Sequence, residues 1–365
     1  MQIKTVPAPV TNSIALNPTE LKDAIVDCFE VRQPVMIWGP PGIGKSDIIH
    51  EIGKETNRRV IDIRLALWEP TDIRGIPYFD NETKEMRWAP PSELPKLVGD
   101  NSIIFLDEMP SAVPTVQAGS YQLILNRKIG EYVLPEGVDM VAAGNRESDR
   151  GISYKMPAPL KNRFTHLELK PNFNCWLNWA IKNNIDASII AYLSWSKKDL
   201  YEFNPKSASN AFATPRSWTF ANKFLTNGKK SKNSDSLMTA LLSGTIGEGL
   251  AISFLTFRKT ASKLPKTEEI LSGKLKKLKS NKDISLLYSI VVNCCVELKE
   301  TVSQKNWLDN VDNFFRFMLD NFPQEVVVMG VRTAIRNYQL PIIPEKLSTY
   351  KDFVEKVEKF IFIKE

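Results

Sequence analysis

One octapeptide limits what this chain can fold into. Gly39-Pro40-Pro41-Gly42-Ile43-Gly44-Lys45-Ser46 satisfies every fixed position of the phosphate-binding pattern G-x-x-x-x-G-K-[ST]. The apolar Val35-Met36-Ile37-Trp38 precedes it, and Ile48, Ile49 and Ile52 recur at helical spacing behind it, so the context reads strand, loop, helix. In that context glycines let backbone N–H groups converge on phosphate oxygens, and the helix that follows adds its positive end. Lys45 is expected to reach the terminal phosphates of a nucleoside triphosphate, and Ser46 to offer its hydroxyl to Mg2+. A Gly-Pro turn that Lys-Ser merely happens to follow would leave the flanking strand and helix as coincidences.

The 365 residues, 43% hydrophobic and 25% charged, have ordinary globular composition and enough length for a large core with one or two smaller domains. Met1 to Asn17 contains no apolar run of the signal-peptide kind, and no later segment approaches a membrane span, so the expectation is a soluble, cytoplasmic protein without a membrane partner. Cys28, Cys175, Cys294 and Cys295, with His50 and His166, form neither a C-x-x-C pair nor a Cys/His cluster. Buried, reduced thiols are expected rather than a disulfide framework. The formal net charge of +6 permits a polyanionic partner without requiring one.

Along the chain, Asn17-Pro18-Thr19-Glu20 carries a cap, a first-turn proline and a carboxylate, which predicts a helix with Leu21, Ile25, Cys28 and Phe29 on its apolar face. Val60 to Leu65 suits the next strand of a parallel sheet. Trp68 to Leu94 is a long proline-containing stretch, in which Ile76–Tyr78 and Glu85–Trp88 form either a projecting hairpin or an ordinary surface excursion. Ser102 to Leu106 is an apolar strand running into Asp107 and Glu108. Residues just past the carboxyl ends of parallel strands line the ligand crevice, so Asp107 is expected to hold the magnesium ion and Glu108 to deprotonate the attacking water. Val138 to Ala143 reads as a further strand, whose end presents Asn145 toward the attacking water or the terminal phosphate.

After Pro171 the chain reads almost wholly helical. Thr214-Pro215 caps a helix with Arg216 at its start, and Gly244 to Phe257 reads as one small-residue helix. Lys274, Lys276, Lys277, Lys279 and Lys282 are a solvated helix face or a nucleic-acid patch; no aromatic residues interleave with them as a single-strand binder would require. The organisation expected is an α/β nucleotide-binding domain over 1–170, a helical lid over 171–262 and a helical extension over 263–365.

GPPGIGKS, IIFLDE, AAGNR, LKNRF and TPRSW, in that order, resemble the AAA+ ATPases over about residues 18–260, and Glu69 to Gly75 with Arg127 to Pro135 resembles the hairpins of the MoxR-like branch. The resemblance implies a P-loop three-layer αβα sandwich with a parallel sheet, followed by a small all-α lid. It implies Walker A at Lys45 and Ser46, Walker B at Asp107 and Glu108, sensor 1 at Asn145, an arginine finger at Arg163 and sensor 2 at Arg216. Arg146 and Arg150 are rival fingers. The chain departs from the branch at Met109-Pro110, at Asn162 before the finger and at Arg146 after sensor 1. A finger acts on a neighbour's nucleotide, so a homo-oligomeric ring, a hexamer in most relatives, is implied as well. ATP with Mg2+ is the expected cofactor pair, since no Asn-Lys-x-Asp sequence follows to read guanine. The function implied is an ATP-hydrolysing ring that remodels a protein partner, with a von Willebrand A-domain protein suspected. A nucleic-acid-directed motor or helicase loader is the alternative.

Overall fold

The computed structural model describes residues 14–149, 154–207, 209–231, 234–278 and 283–361, so Arg150, Lys279 and Lys282 lie outside the described residues. The chain divides into two compact units, Met1–Asn172 and Phe173–Glu365.

The first unit opens with β1 (Ala15–Leu16) and α1 (Pro18–Glu30). Asn17 Oδ1 accepts from the N–H groups of Thr19 and Glu20 at 2.9 and 3.1 Å, and Glu20 Oε2 accepts from Asn17 N at 2.8 Å, which closes the expected capping box. Then follow β2 (Val35–Trp38), α2 (Lys45–Glu55), β3 (Val60–Arg64), α3 (Pro70–Arg74), β4 (Ile76–Asp80), β5 (Glu85–Ala89), β6 (Ile103–Asp107), α4 (Pro114–Asn126), β7 (Lys128–Ile129), β8 (Tyr132–Val133), β9 (Asp139–Gly144), α5 (Ala158–Lys161) and β10 (Thr165–Leu169). Six strands make one sheet in the order β1-β10-β2-β9-β6-β3, and every pairing in it is parallel.

Strands β2, β6 and β9 are nearly continuous apolar runs because helices cover both faces of their sheet. Met36, Ile104, Leu106, Met140 and Ala142 point into a core completed by Val116 and Leu123 of α4 and Leu160 of α5. The opposite face is covered by α1 and α2, which pack on β10, β3 and β6. The result is the helix, sheet, helix layering expected of a P-loop fold. Edge strand β3 alternates instead, with Ile63 buried between exposed Asp62 and Arg64.

Two hairpins leave this body. Strands β4 and β5 pair antiparallel from Ile76–Ala89 to Asp80–Glu85, which decides between the two readings of that stretch in favour of the hairpin. The Arg74 guanidinium lies 4.8 Å from the Trp88 ring centroid at its base. Strands β7 and β8 form the second, shorter hairpin.

The amino ends of the strands carry a charge cluster. Asp139, the first residue of β9, is buried between Arg58 at 2.7 Å and Arg32 at 3.1 Å, and Arg58 also donates to the carbonyls of Asn101, Ser102 and Gly137.

The second unit comprises α6 (Phe173–Lys182), α7 (Ala187–Trp195), α8 (Pro215–Ser231), α9 (Asp235–Ile246), α10 (Glu248–Ala261), α11 (Thr267–Leu271), α12 (Ile284–Glu300), α13 (Trp307–Asn321), α14 (Gln324–Arg332) and α15 (Tyr350–Ile361). Helix α12 packs along α7, so both stretches of this unit feed one hydrophobic core. Its aromatic centre is Tyr192, Trp218 and Phe254, with ring centroids 5.5 to 5.9 Å apart. The helix expected over Gly244 to Phe257 is two helices. Gly247 interrupts it with φ 93°, a conformation closed to most L-residues, and restarts the chain as α10. The lysine run also differs from a helix face. Helix α11 stops at Leu271, and Lys274, Lys276 and Lys277 stand exposed on a loop pinned to α13 by Asn321, which accepts from Leu278 N at 2.8 Å and donates to Lys276 O at 3.0 Å. Cys294 and Cys295 are buried, whereas Cys28 and Cys175 are only half-buried. No helix among the described residues is long and apolar enough to cross a membrane.

Removing the carboxylate of Asp139 leaves Arg58, itself largely buried, without its counter-charge. Asp139→Ala is expected to destabilise the first unit by about 3 kcal/mol, measured from urea unfolding midpoints. A loss below about 1 kcal/mol would mean that the carbonyl acceptors around Arg58 suffice.

Candidate functional site

The topology fixes where a ligand crevice opens. The connection after β2 leads to β3 at one edge of the sheet, whereas that after β9 crosses β2 to reach β10, so the strand order reverses beside the carboxyl ends of β2 and β9. The phosphate-loop sequence lies there. Gly39 N donates to Gly144 O at 3.3 Å, Gly42 and Gly44 take φ of 75° and 92°, and Gly44 caps α2.

Three strands converge at this point. Lys45 Nζ donates to Gly39 O at 2.7 Å, to Pro40 O at 3.0 Å and, across the crevice, to Asn145 Oδ1 at 2.8 Å. Ser46 Oγ donates to Asp107 Oδ2 at 3.2 Å, tying the start of α2 to the end of β6. Asp107 Oδ1 accepts from Glu108 N at 2.9 Å, and Glu108, the next residue in the chain, is exposed. The site thus collects an ammonium, a hydroxyl and carboxylate oxygen pair and an amide. A polyphosphate and a hard divalent cation suit that set, because phosphate seeks cationic and N–H donors while such a cation seeks oxygen.

Glu108 turns the chain sharply out of β6 with φ 55° and ψ 32°, in the left-handed region. The turn directs Pro110 onto β9, where Gly144 receives its ring. A Cβ on Gly144 would sit 2.2 Å from Pro110 Cδ and 2.4 Å from Cγ. Met109-Pro110 therefore sets the spacing between the segment bearing Glu108 and the one bearing Asn145. The sequence carries no signal for this contact, because the two residues are far apart in the chain.

The remaining candidates separate. Arg146 is held within its own chain by Asp149, at 3.3 Å, and by Glu168. Burial opposes its charge, but the two carboxylates outweigh that and raise its pKa. Arg163 is exposed in the turn between α5 and β10, and among the described residues its guanidinium has no ion-pair partner. Its carbonyl accepts from Gln33 Nε2 at 2.9 Å. Arg216 is exposed in the first turn of α8, in the second unit.

Residues 35–171 match the family described as "ATPase family associated with various cellular activities (AAA)". The match spans the sheet-bearing part of the first unit, and this segment is similar to an AAA ATPase domain. Midasin of Giardia intestinalis is 26% identical over 196 residues, half of this chain and 4% of that protein, so the chain spans a small fraction of the curated relative it matches. Among solved structures, a point mutant of RuvB from Thermotoga maritima is 18% identical, covering 70% of this chain and 75% of that one with a TM-score of 0.41. NtrX of Brucella abortus in complex with ADP is 12% identical, covering 93% and 66% with a TM-score of 0.39.

In this segment Gly144→Ala must displace the Pro110 ring. We expect a loss of about 1–3 kcal/mol in thermal unfolding, largely relieved when Pro110→Ala is added, because the overpacked ring is then gone. An unchanged melting temperature would remove the contact from any structural role.

Proposed function

We propose that this chain is an ATP-hydrolysing subunit of a homo-oligomeric AAA+ ring of the MoxR-like type, working in the cytoplasm to remodel or activate a protein partner. The observation that carries this reading is the convergence of Lys45, Asn145, Ser46 and Asp107 through bonds of 2.8 and 3.2 Å at the reversal of strand order. Lys45 neutralises charge on the terminal phosphates. Ser46 and Asp107 would hold Mg2+, and their adjacent oxygens fit a hard cation, which when bound neutralises charge between the phosphates. Asn145 hydrogen-bonds the terminal phosphate or the attacking water. Glu108 takes the proton of that water as its oxygen bonds to the γ-phosphorus and the bond to the ADP oxygen breaks.

Arg163 is assigned to the neighbouring subunit's nucleotide, supported by its exposure and by the absence of an ion-pair partner among the described residues. Arg146, the rival, is already engaged by Asp149 and Glu168. Arg216 takes the sensor 2 role on resemblance alone, and residues 171–262 the role of lid. The protein-partner reading draws on the first hairpin, which exposes Ile76 and Tyr78 on one face and Phe79 and Met86 on the other. A von Willebrand A-domain protein is the partner class that the resemblance offers. The nucleic-acid reading draws on exposed Lys274, Lys276 and Lys277, which supply only a few phosphate contacts.

Lys45→Ala is expected to lose nucleotide affinity, whereas Glu108→Gln keeps affinity and loses hydrolysis, measured by nucleotide titration and phosphate release. Wild-type hydrolysis by Glu108→Gln would take Glu108 out of its role. Tagged Glu108→Gln protein purified with ATP is expected to retain a protein; retention of nucleic acid would favour the motor instead.

Arg163→Ala subunits are expected to bind ATP and hydrolyse it ~10³-fold or more slowly. Mixing them with Glu108→Gln subunits restores part of the activity, because some interfaces then pair an intact Glu108 with an intact neighbouring Arg163. A dead mixture, with subunit exchange verified, assigns Arg163 to its own subunit.

A further inference from the structure

Trp38 ends β2 and directly precedes Gly39, the first residue of the phosphate loop. Its indole Nε1–H donates to His166 Nδ1 at 2.8 Å, and the two rings lie edge to edge and nearly coplanar, with centroids 6.0 Å apart and planes 16° from parallel. A donor aimed at Nδ1 fixes the state of the imidazole: Nδ1 presents its lone pair, so Nε2 carries the proton and donates to Lys161 O at 2.8 Å. Lys161 closes α5. Its carbonyl also accepts from Phe164 N at 3.2 Å, so the bond from His166 enters the turn that contains Arg163.

That turn is clasped from the other end of the same strand. Gln33 Nε2 donates to Arg163 O at 2.9 Å, and Pro34 O accepts from Thr165 N at 2.9 Å. The Phe164 ring meets His166 edge-on at 6.3 Å. Hence the backbone that carries Arg163 is tied both to the entry of β2 and, through two ring hydrogen bonds in series, to its exit into the phosphate loop.

We infer that Trp38, His166 and the Lys161 carbonyl form a relay that couples the phosphate loop of one subunit to the Arg163 it offers to its neighbour. His166 is its positioning residue. The inference rests on the trans role proposed for Arg163. Phosphate bound by the loop bears on Gly39 and therefore on Trp38, and a neutral imidazole hydrogen-bonded through both ring nitrogens passes that displacement on without changing charge. This is a contiguous packed link between two sites through one strand. Each subunit's own nucleotide would thus help to set the reach of the arginine on which the next site depends.

The test uses the full-length chain. His166→Phe keeps an aromatic ring and deletes both hydrogen bonds, and Trp38→Phe deletes the donor with part of the ring while sparing the bond from His166 to Lys161 O, so the second variant carries the test if the first fails to fold. Both are expected to bind ATP within about twofold of wild type while kcat falls ~10-fold or more, the scale on which misplacing a group by a fraction of an ångström acts. His166→Gln, which retains an acceptor and a donor, is expected to recover most of that turnover. In an Arg163→Ala background neither Phe variant should slow hydrolysis further, because the relay's endpoint is already gone. Losses that multiply in that background, a loss confined to ATP affinity, or no loss at all would overturn the relay and leave the finger reading standing. Wild-type turnover by Arg163→Ala alone would overturn both, and it is read independently of the His166 variants.

Discussion

Parallel pairing of β2 between β10 and β9 constrains everything else in the first unit. A strand bonded on both edges and covered on both faces can hold almost nothing polar along its length. Along β2, β6 and β9 the charged and hydrogen-bonding side chains are therefore displaced to the ends of the strands. At the amino ends the result is the Asp139 cluster with Arg58 and Arg32, closed and saturated by carbonyls. At the carboxyl ends the groups meet across a crevice, with Lys45 and Asn145 on opposite sides. The same physics yields a girdle at one end and a candidate binding site at the other.

Within the site, the acid that follows β6 is held in an unusual conformation. Glu108 has φ 55° without being glycine, which costs on the order of 1 kcal/mol. Its surroundings over-determine it: Ser111 N donates to the Glu108 carbonyl at 2.8 Å, the Glu108 N–H donates to Asp107 Oδ1, and Pro110 is lodged on Gly144. These contacts hold the left-handed turn at Glu108 where β6 ends.

Much of this was legible in the sequence, and the reason is local. The phosphate loop, the Asn17 cap and the apolar runs of β6 and β9 each announce themselves within a dozen residues, where periodicity and capping chemistry act, whereas the first hairpin stayed one of two readings until the pairing of β4 with β5 decided it. Asn145 is legible only through the order of strands. What escaped depends on residues distant in the chain that the sheet brings together, such as Pro110 on Gly144 and Trp38 on His166. Arg146 looked like a candidate for reaching outward until β10 supplied Glu168 beside it. The helix over Gly244 to Phe257 failed for a different reason, since a glycine is compatible with helix continuation as well as with a break and only its φ distinguishes the two.

The hydrogen bonds of Lys45 also bear on the thermodynamics of any phosphate that enters. An ammonium has three N–H donors, and here it faces two carbonyl oxygens and one amide oxygen. A phosphate cannot simply add itself to that ammonium; it must trade places with oxygens already there. Affinity at this lysine is thus a difference between two sets of charge-assisted bonds, and the Asn145 amide is one of the competitors. A phosphate that displaced it would free the amide to turn toward another donor, so on the proposed function a single side chain would both resist the ligand and register its arrival.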